Sequence, residues 1–166
     1  MAEHPNVARV LAAAERHGTR LEVHRFPAGT RTAADAAAAV GCGVADIVKS
    51  LVFVADGQPV LALVSGVDRV DPAALGKAVG AVDVRRANGD EARDATGVAI
   101  GGIPPFGHVA EVPVLMDERL RARATVWAAA GLPDAVFAID AGDLARLAGA
   151  RVAAIAEQIT DDPAAV

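Results

Sequence analysis

Residues 51–55, Leu-Val-Phe-Val-Ala, and residues 58–64, Gln-Pro-Val-Leu-Ala-Leu-Val, flank the dipeptide Asp56-Gly57. An Asp-Gly pair between two β-rich apolar runs is the strongest short-range signal for a two-residue hairpin. Both arms are almost continuously apolar, which predicts strands covered on both faces and placed at the centre of a sheet. The rest of the chain must therefore supply two covering layers. With 166 residues it can do so as one domain, since a chain of this size buries roughly 70% of its unfolded surface. An apolar content of 53% against 22% charged residues excludes intrinsic disorder.

Short elements surround the hairpin. Within 1–19, an apolar stripe at Val7, Val10, Leu11 and Ala14 predicts an N-terminal helix that stops at Gly18. Residues 21–26 read as a short strand. Thr32 and Asp35 form a capping-box pattern ahead of an alanine-rich helix that ends at Gly41 and Gly43, and residues 44–49 read as one more turn. Asp71-Pro72 opens a helix closed by Gly80, residues 82–86 an edge strand, and residues 88–97 another helix. Residues 109–116 are strand-like, with Pro113 pointing to an edge. Asp117 caps a short basic helix, 125–129 and 135–139 are strands, and Asp140 and Asp143 lead into a helical segment at 144–147. Residues 151–156 read as a last strand and 160–166 as a frayed tail. No βαβ spacing and no repeat is present. The expected fold is α+β: a single domain around a mixed, curved, barrel-like β-sheet with short flanking helices.

The formal charge of −5 argues against a protein that grips DNA or long RNA by its phosphates, though not against one that touches the end of an RNA. The single cysteine, Cys42, forms no zinc pattern and fits a reducing cytoplasm. No apolar run approaches the roughly 18 residues of a membrane span, and the opening Met-Ala-Glu-His-Pro lacks a signal-peptide pattern. The four histidines show no metal-ligand spacing, and no P-loop or GxSxG elbow is present, so no metal and no cofactor is expected. Gly41-Cys-Gly43 follows a helix, which makes it a helix-ending turn. Asp140 and Asp143 fit a cap with its dipole partner.

Two features carry chemistry. The first is Lys49. The chain has 14 Arg and only two Lys, so a lysine at the entry to the central hairpin stands out. It either satisfies helix-end carbonyls or places an ammonium at the mouth of a sheet. The second is the run Gly101-Gly-Ile-Pro-Pro-Phe-Gly107, with five glycine or proline residues in seven. Such a loop is either a rigid connection or a cradle whose amides face a carboxylate, a phosphate or an oxyanion.

Taken together, Thr30-x-Thr32-Ala-Ala, the run Ile47-Val-Lys49-Ser50-Leu-Val-Phe, the Asp-Gly hairpin and Gly97-x-x-x-Gly101-Gly-Ile-Pro-Pro105-Phe-Gly-His108 resemble the YbaK / prolyl-tRNA synthetase-associated editing-domain family. The likeness is collinear over roughly residues 20–150, most of one domain. It implies an aminoacyl-tRNA deacylase, which hydrolyses the ester joining a wrong amino acid to the terminal adenosine. It places the functional lysine on Lys49 and the family's Gly-x-x-x-Pro loop on 101–105. The implied catalytic set is Lys49, Gly101 and Gly102. The implied substrate-binding set is Thr30, Ser50, Val98, Ile103, Pro104, Pro105, Phe106, Gly107 and His108. Val98 stands where many members carry an aromatic residue, which bears on one pocket wall and on the amino acid accepted.

The implied partner is the acceptor end of an aminoacyl-tRNA, with an aminoacyl-tRNA synthetase as a further one. Val98, Ile103, Phe106 and the hairpin's apolar strands would leave a small, mostly apolar cavity, suited to alanine, cysteine or serine. Loop amides would face the ester carbonyl, and water, the ribose hydroxyl or the substrate side chain would attack. Arg85 and Arg86, or Arg119, Arg121 and Arg123, are candidates for phosphate contact or plain surface charge. Two other readings stand beside the deacylase: a non-catalytic module that binds a nucleotide, amino acid or acceptor end, and a hydrolase that uses Cys42.

Overall fold

The structure is a computed structural model that describes residues 3–26 and 32–158. Thr30 and the tail at 160–166 lie outside the described residues.

The hairpin forms as its sequence dictates. β2 (Val48–Ala55) and β3 (Gln58–Ser65) pair antiparallel from Val48 opposite Ser65 to Ala55 opposite Gln58. The turn takes left-handed backbone at both positions, φ 47° at Asp56 and 82° at Gly57, which matches the twist of the strands it joins. The Asp56 carboxylate accepts from the amides of Val82 and Asp83 and so fixes the entry to β4 (Val84–Arg86). β4 is an edge strand, paired with β2 only at 53–55 of the latter.

The expected single barrel-like sheet is two sheets, and the barrel is not closed. A five-stranded mixed sheet has the order β4-β2-β3-β5-β8, with β5 at Val114–Asp117 and β8 at Arg151–Ala153. A three-stranded antiparallel sheet has the order β1-β7-β6, with β1 at Val23–Arg25, β6 at Thr125–Ala129 and β7 at Ala135–Asp140. One isolated parallel bridge, Ile47 to Trp127, joins β6 to the entrance of β2.

The helices are α1 (Pro5–Arg16), α2 (Ala33–Val40), α3 (Pro72–Val79), α4 (Gly89–Thr96), α5 (Glu118–Arg121) and α6 (Ala141–Ala148). The Thr32–Asp35 capping box is present, and Asp140 caps α6 by accepting from the Asp143 amide. Alternate residues of the hairpin go to opposite cores. Val52, Leu61 and Leu63 join the main cluster with α1, α4, α6 and the small sheet; Phe53, Val60, Ala62 and Val64 join a second cluster with Leu75 of α3.

Three local expectations change. The turn at 44–49 is a 3-10 turn, Val44–Asp46, so Lys49 lies inside β2 and caps no helix. The strand read at 109–116 begins only at Val114, because Pro113 has no N–H to give a ladder. β5 is also no edge, since it pairs in parallel with both β3 and β8. The last strand is short, and Ala156 instead makes an isolated bridge with Val70.

Candidate active site

β2 and β6 meet at the Ile47–Trp127 bridge and then separate. A cavity of about 290 Å³ occupies the wedge between them. One wall is β2 from Val48 to Leu51, and the facing wall is β6 from Trp127 to Ala129. α2 closes one end through Ala33, Ala36 and Val40, and Ile100, Gly101, Ile103 and Pro133 close the other. The capping box positions α2 over the wedge, since Thr32 both caps that helix and lines the cavity. The lining is largely apolar. Among the described lining residues the polar side chains that can hydrogen-bond are those of Thr32, Lys49, Ser50 and Trp127, and none is a carboxylate.

Lys49 is half-buried on this rim. Its ammonium donates to the Asp68 carbonyl. Asp68 is held in turn: its carboxylate, almost fully buried, takes an ion pair from Arg119 at 2.9 Å. Arg119 also donates to the Glu157 carbonyl. Asp117, equally buried, accepts from the amides of Ile155, Ala156 and Arg119. This network anchors the segment on which Lys49 rests. Burial pushes the Lys49 ammonium below the ordinary lysine value. The Asp68 charge opposes that shift, and the Arg69 and Arg86 charges add to it.

The structure brings Lys49, Ser50, Gly101 and Ile103 to one cavity and leaves the other residues of the motif elsewhere. Gly102 sits behind the wall. A Cβ there would lie 2.9 Å from the Leu132 backbone, and its amide is engaged by the Ala99 carbonyl at 3.2 Å. Val98, expected in a pocket wall, is buried in the main core. Pro105, Phe106, Gly107 and His108 border a different, open groove beside the end of α6. Phe106 packs on Phe137 with ring centroids 5.6 Å apart. The Pro104 carbonyl is 2.6 Å from His108 Nε2, so this proline serves to hold the histidine.

The basic residues also separate. Arg85 pairs with Glu91, Arg119 with Asp68 and Arg123 with Asp46. Arg86 lies over the Phe53 ring, exposed, on the same face of the sheet as Lys49. Cys42 packs near Ile47 and Trp127 but does not line the cavity. Burial, then the Asp46 charge, pushes its thiol up, away from the thiolate a nucleophile requires. The sequence reading missed α2, Trp127–Ala129, Pro133 and Val136 as cavity walls. Only the lone tryptophan offered a signal.

The family model for the aminoacyl-tRNA editing domain matches residues 27–147. A solved structure described as a candidate trans-editing enzyme for prolyl tRNA synthetase is similar over 95% of this chain and 100% of its own, with a TM-score of 0.87 and 44% identity. The chain is also 40% identical over 91 residues to a proline–tRNA ligase of Acidithiobacillus ferrooxidans, covering 55% of this chain and 16% of that one. It is 33% identical over 87 residues to the proline–tRNA ligase of Ligilactobacillus salivarius, covering 52% and 15%. It thus spans about a sixth of these ligases, and the likeness is to a module within them. The chain belongs to the aminoacyl-tRNA editing domain family.

Proposed function

We propose that this protein hydrolyses the ester of a mischarged tRNA that carries a small amino acid. The observation that carries this reading is the wedge itself: about 290 Å³, apolar, with a single ammonium on its rim. A volume at the low end for small-molecule sites suits a short acyl group better than a large aromatic one. Lys49 suits the phosphate or ester end of the terminal nucleotide, because a point charge on a flexible stem can follow an anion.

The lining asks little of the protein chemically. Among the described lining residues there is no histidine, cysteine or carboxylate to act as base or nucleophile. An aminoacyl ester is already reactive, so orientation and carbonyl polarisation contribute most. Gly101 lines the cavity with φ 106°, a backbone path that suits glycine. Its amide is the loop donor proposed for the developing oxyanion, in place of Gly102. The attacking oxygen comes from water or from the substrate. The likeness to a solved structure described as a candidate trans-editing enzyme for prolyl tRNA synthetase supports action in trans on the acceptor end, with the tRNA of that synthetase as the context.

The test is a panel of tRNAs charged with amino acids of graded size, with Lys49→Ala as control. Release of small residues by the parent and not by the variant is expected. Tight binding without turnover would make the protein a binding module. A strict preference for large aromatic or charged residues would refute the size argument.

A further inference from the structure

Two loops close one end of the wedge, the first through Gly101 and Ile103 and the second through Pro133. Residues 97–113 and 130–134 belong to no helix or strand, so their spacing depends on what packs against them. The loops touch each other. A Cβ on Gly102 would lie 2.9 Å from the Leu132 backbone, and one on Gly101 would lie 3.9 Å from Pro133. α1 backs both loops. A Cβ on Gly131 would lie 2.7 Å from the Asn6 Cβ, one on Gly97 3.1 Å from an Arg9 guanidinium nitrogen, and one on Gly107 3.2 Å from the Val10 Cα. The helix thus meets the turn before Pro133 and the glycine–proline loop on both sides of Gly101. It precedes residues 27–147, which the family model matches.

One polar contact fastens this junction. The Asn6 side-chain amide donates to the Gly131 carbonyl at 3.1 Å. Arg9 donates to the Asn6 Oδ1 at 3.4 Å. The second contact orients the first: with Oδ1 turned to the guanidinium, Nδ2 faces the carbonyl. Gly131 is buried, so water is a poor substitute for the lost donor, and a buried acceptor left short of a partner is costly.

We propose that Asn6 is a positioning residue for the wedge: from α1 it holds the Gly131 turn, the turn seats Leu132 against Gly102, and Gly101 and Pro133 are thereby kept at a fixed spacing. Asn6 does not itself line the cavity. Its effect on turnover rests on the deacylase reading and deepens it, whereas its effect on the loops is independent of that reading. A loop amide aimed at developing charge, and a wall that limits acyl size, both lose their value if they drift by about 1 Å.

The experiment compares the whole protein with Asn6→Asp and Asn6→Ala. Asn6→Asp keeps the shape and the acceptor for Arg9 but sets a carboxylate oxygen against the Gly131 carbonyl. The first turn of α1 has no acidic residue, and one is favourable there, so the helix itself is not weakened. Asn6→Ala removes the donor without adding charge and keeps a good helix former. Amide hydrogen exchange reads the two loops at Gly102, bonded to the Ala99 carbonyl, and at Ala135, bonded to the Leu132 carbonyl. Both amides should exchange at least about 10-fold faster in the variants, Asn6→Asp more than Asn6→Ala. Ala87, bonded to Val52 of the central hairpin, should keep its parent rate. Single-turnover cleavage of alanyl-tRNA at saturating enzyme should slow by about 10- to 100-fold in the same order, and the preference for alanyl- over valyl-tRNA should narrow. A role confined to the stability of α1 would instead leave Asn6→Asp at or above the parent. Unchanged exchange at Gly102 and Ala135, or faster exchange of all three amides together, overturns the proposal. So does local loosening with parent-like rate and preference. Local loosening in a protein whose parent cleaves no aminoacyl-tRNA leaves the strut standing and removes the deacylase reading. Parent cleavage without local loosening in the variants does the reverse.

Discussion

Residues 101–103 and residues 104–108 are consecutive in one glycine–proline run, yet they face different parts of the molecule. Gly101 and Ile103 border the wedge between the two sheets. Phe106 is buried against Phe137, and His108 is buried enough that its ring is pushed toward the neutral form. The first stretch offers backbone to a cavity, and the second fixes the loop to the core. A motif that reads as one site is thus a site followed by its anchor. The two halves differ in what substitution should do: change at the anchor should cost stability, and change at the wedge should cost turnover.

The largest effect expected is at the anchor. Phe106→Ala removes a buried aromatic ring, which typically costs about 3–5 kcal/mol. Chemical denaturation measures the loss. Cleavage per folded molecule, and the amino acid preferred, should stay as in the parent, because the ring does not border the wedge. A changed preference would join the two halves again.

At the wedge, Lys49→Ala should lose at least about 10²-fold in kcat/KM, or roughly 2.7 kcal/mol, with an unchanged melting temperature. Lys49→Arg should restore little, since a forked guanidinium does not reproduce the ammonium. The pH profile should carry the same signature. The charged form binds the anion, and burial lowers the pKa. Binding should therefore weaken, with rising KM, at a pH below that of an ordinary lysine. An alkaline limb at the ordinary lysine value would deny the buried setting.

Much of the frame was legible from residue order. The Asp-Gly hairpin, the capping box at Thr32 and the cap at Asp140 are local signals, each satisfied by neighbours within a few residues. The wedge is not local. It exists because Ile47 bridges Trp127, residues 80 positions apart, and because β2 and β6 then diverge. Nothing in the alanine-rich α2 or in Ala128 and Ala129 marks them as walls. Lys49 was singled out by lysine scarcity, but its place in a strand depended on the 3-10 turn ending at Asp46. The division of the loop was hidden for the same reason: Val98 and Phe106 are apolar, and apolar residues suit a pocket wall and a core equally well.

The two glycines of the loop sharpen the boundary between the halves. A Cβ at Gly102 would press on the Leu132 backbone at 2.9 Å, which cannot yield without moving the neighbouring loop. Gly102→Ala should therefore shift the wall and slow cleavage, by about 10²-fold if the displacement reaches 1 Å. Gly101→Ala meets open space, its nearest neighbour being Pro133 at 3.9 Å, but holds φ 106°. Its cost is conformational, about 1–3 kcal/mol, divided between stability and turnover. Single-turnover rates beside melting curves separate the two. Parent-like rates in both variants would make the loop a connection only.

The smallest effect belongs to His108. Burial lowers its pKa from the ordinary 6.5; the Pro104 carbonyl opposes the shift, and the Arg9 charge adds to it. The folded ring is thus neutral where the unfolded chain still takes a proton. Stability from this difference is fully present above the unfolded pKa and is lost as pH falls from there toward the lowered folded value. His108→Gln removes the titration while keeping a polar side chain. The melting-temperature gap between parent and variant should narrow from about pH 8 to about pH 5. Cleavage per folded molecule should show no matching change, because the histidine stands on the anchor side. A gap that widens on acidification would mean that the protonated ring is the one the fold prefers. A parallel change in cleavage would place His108 with the wedge and dissolve the distinction between the two ends of the loop.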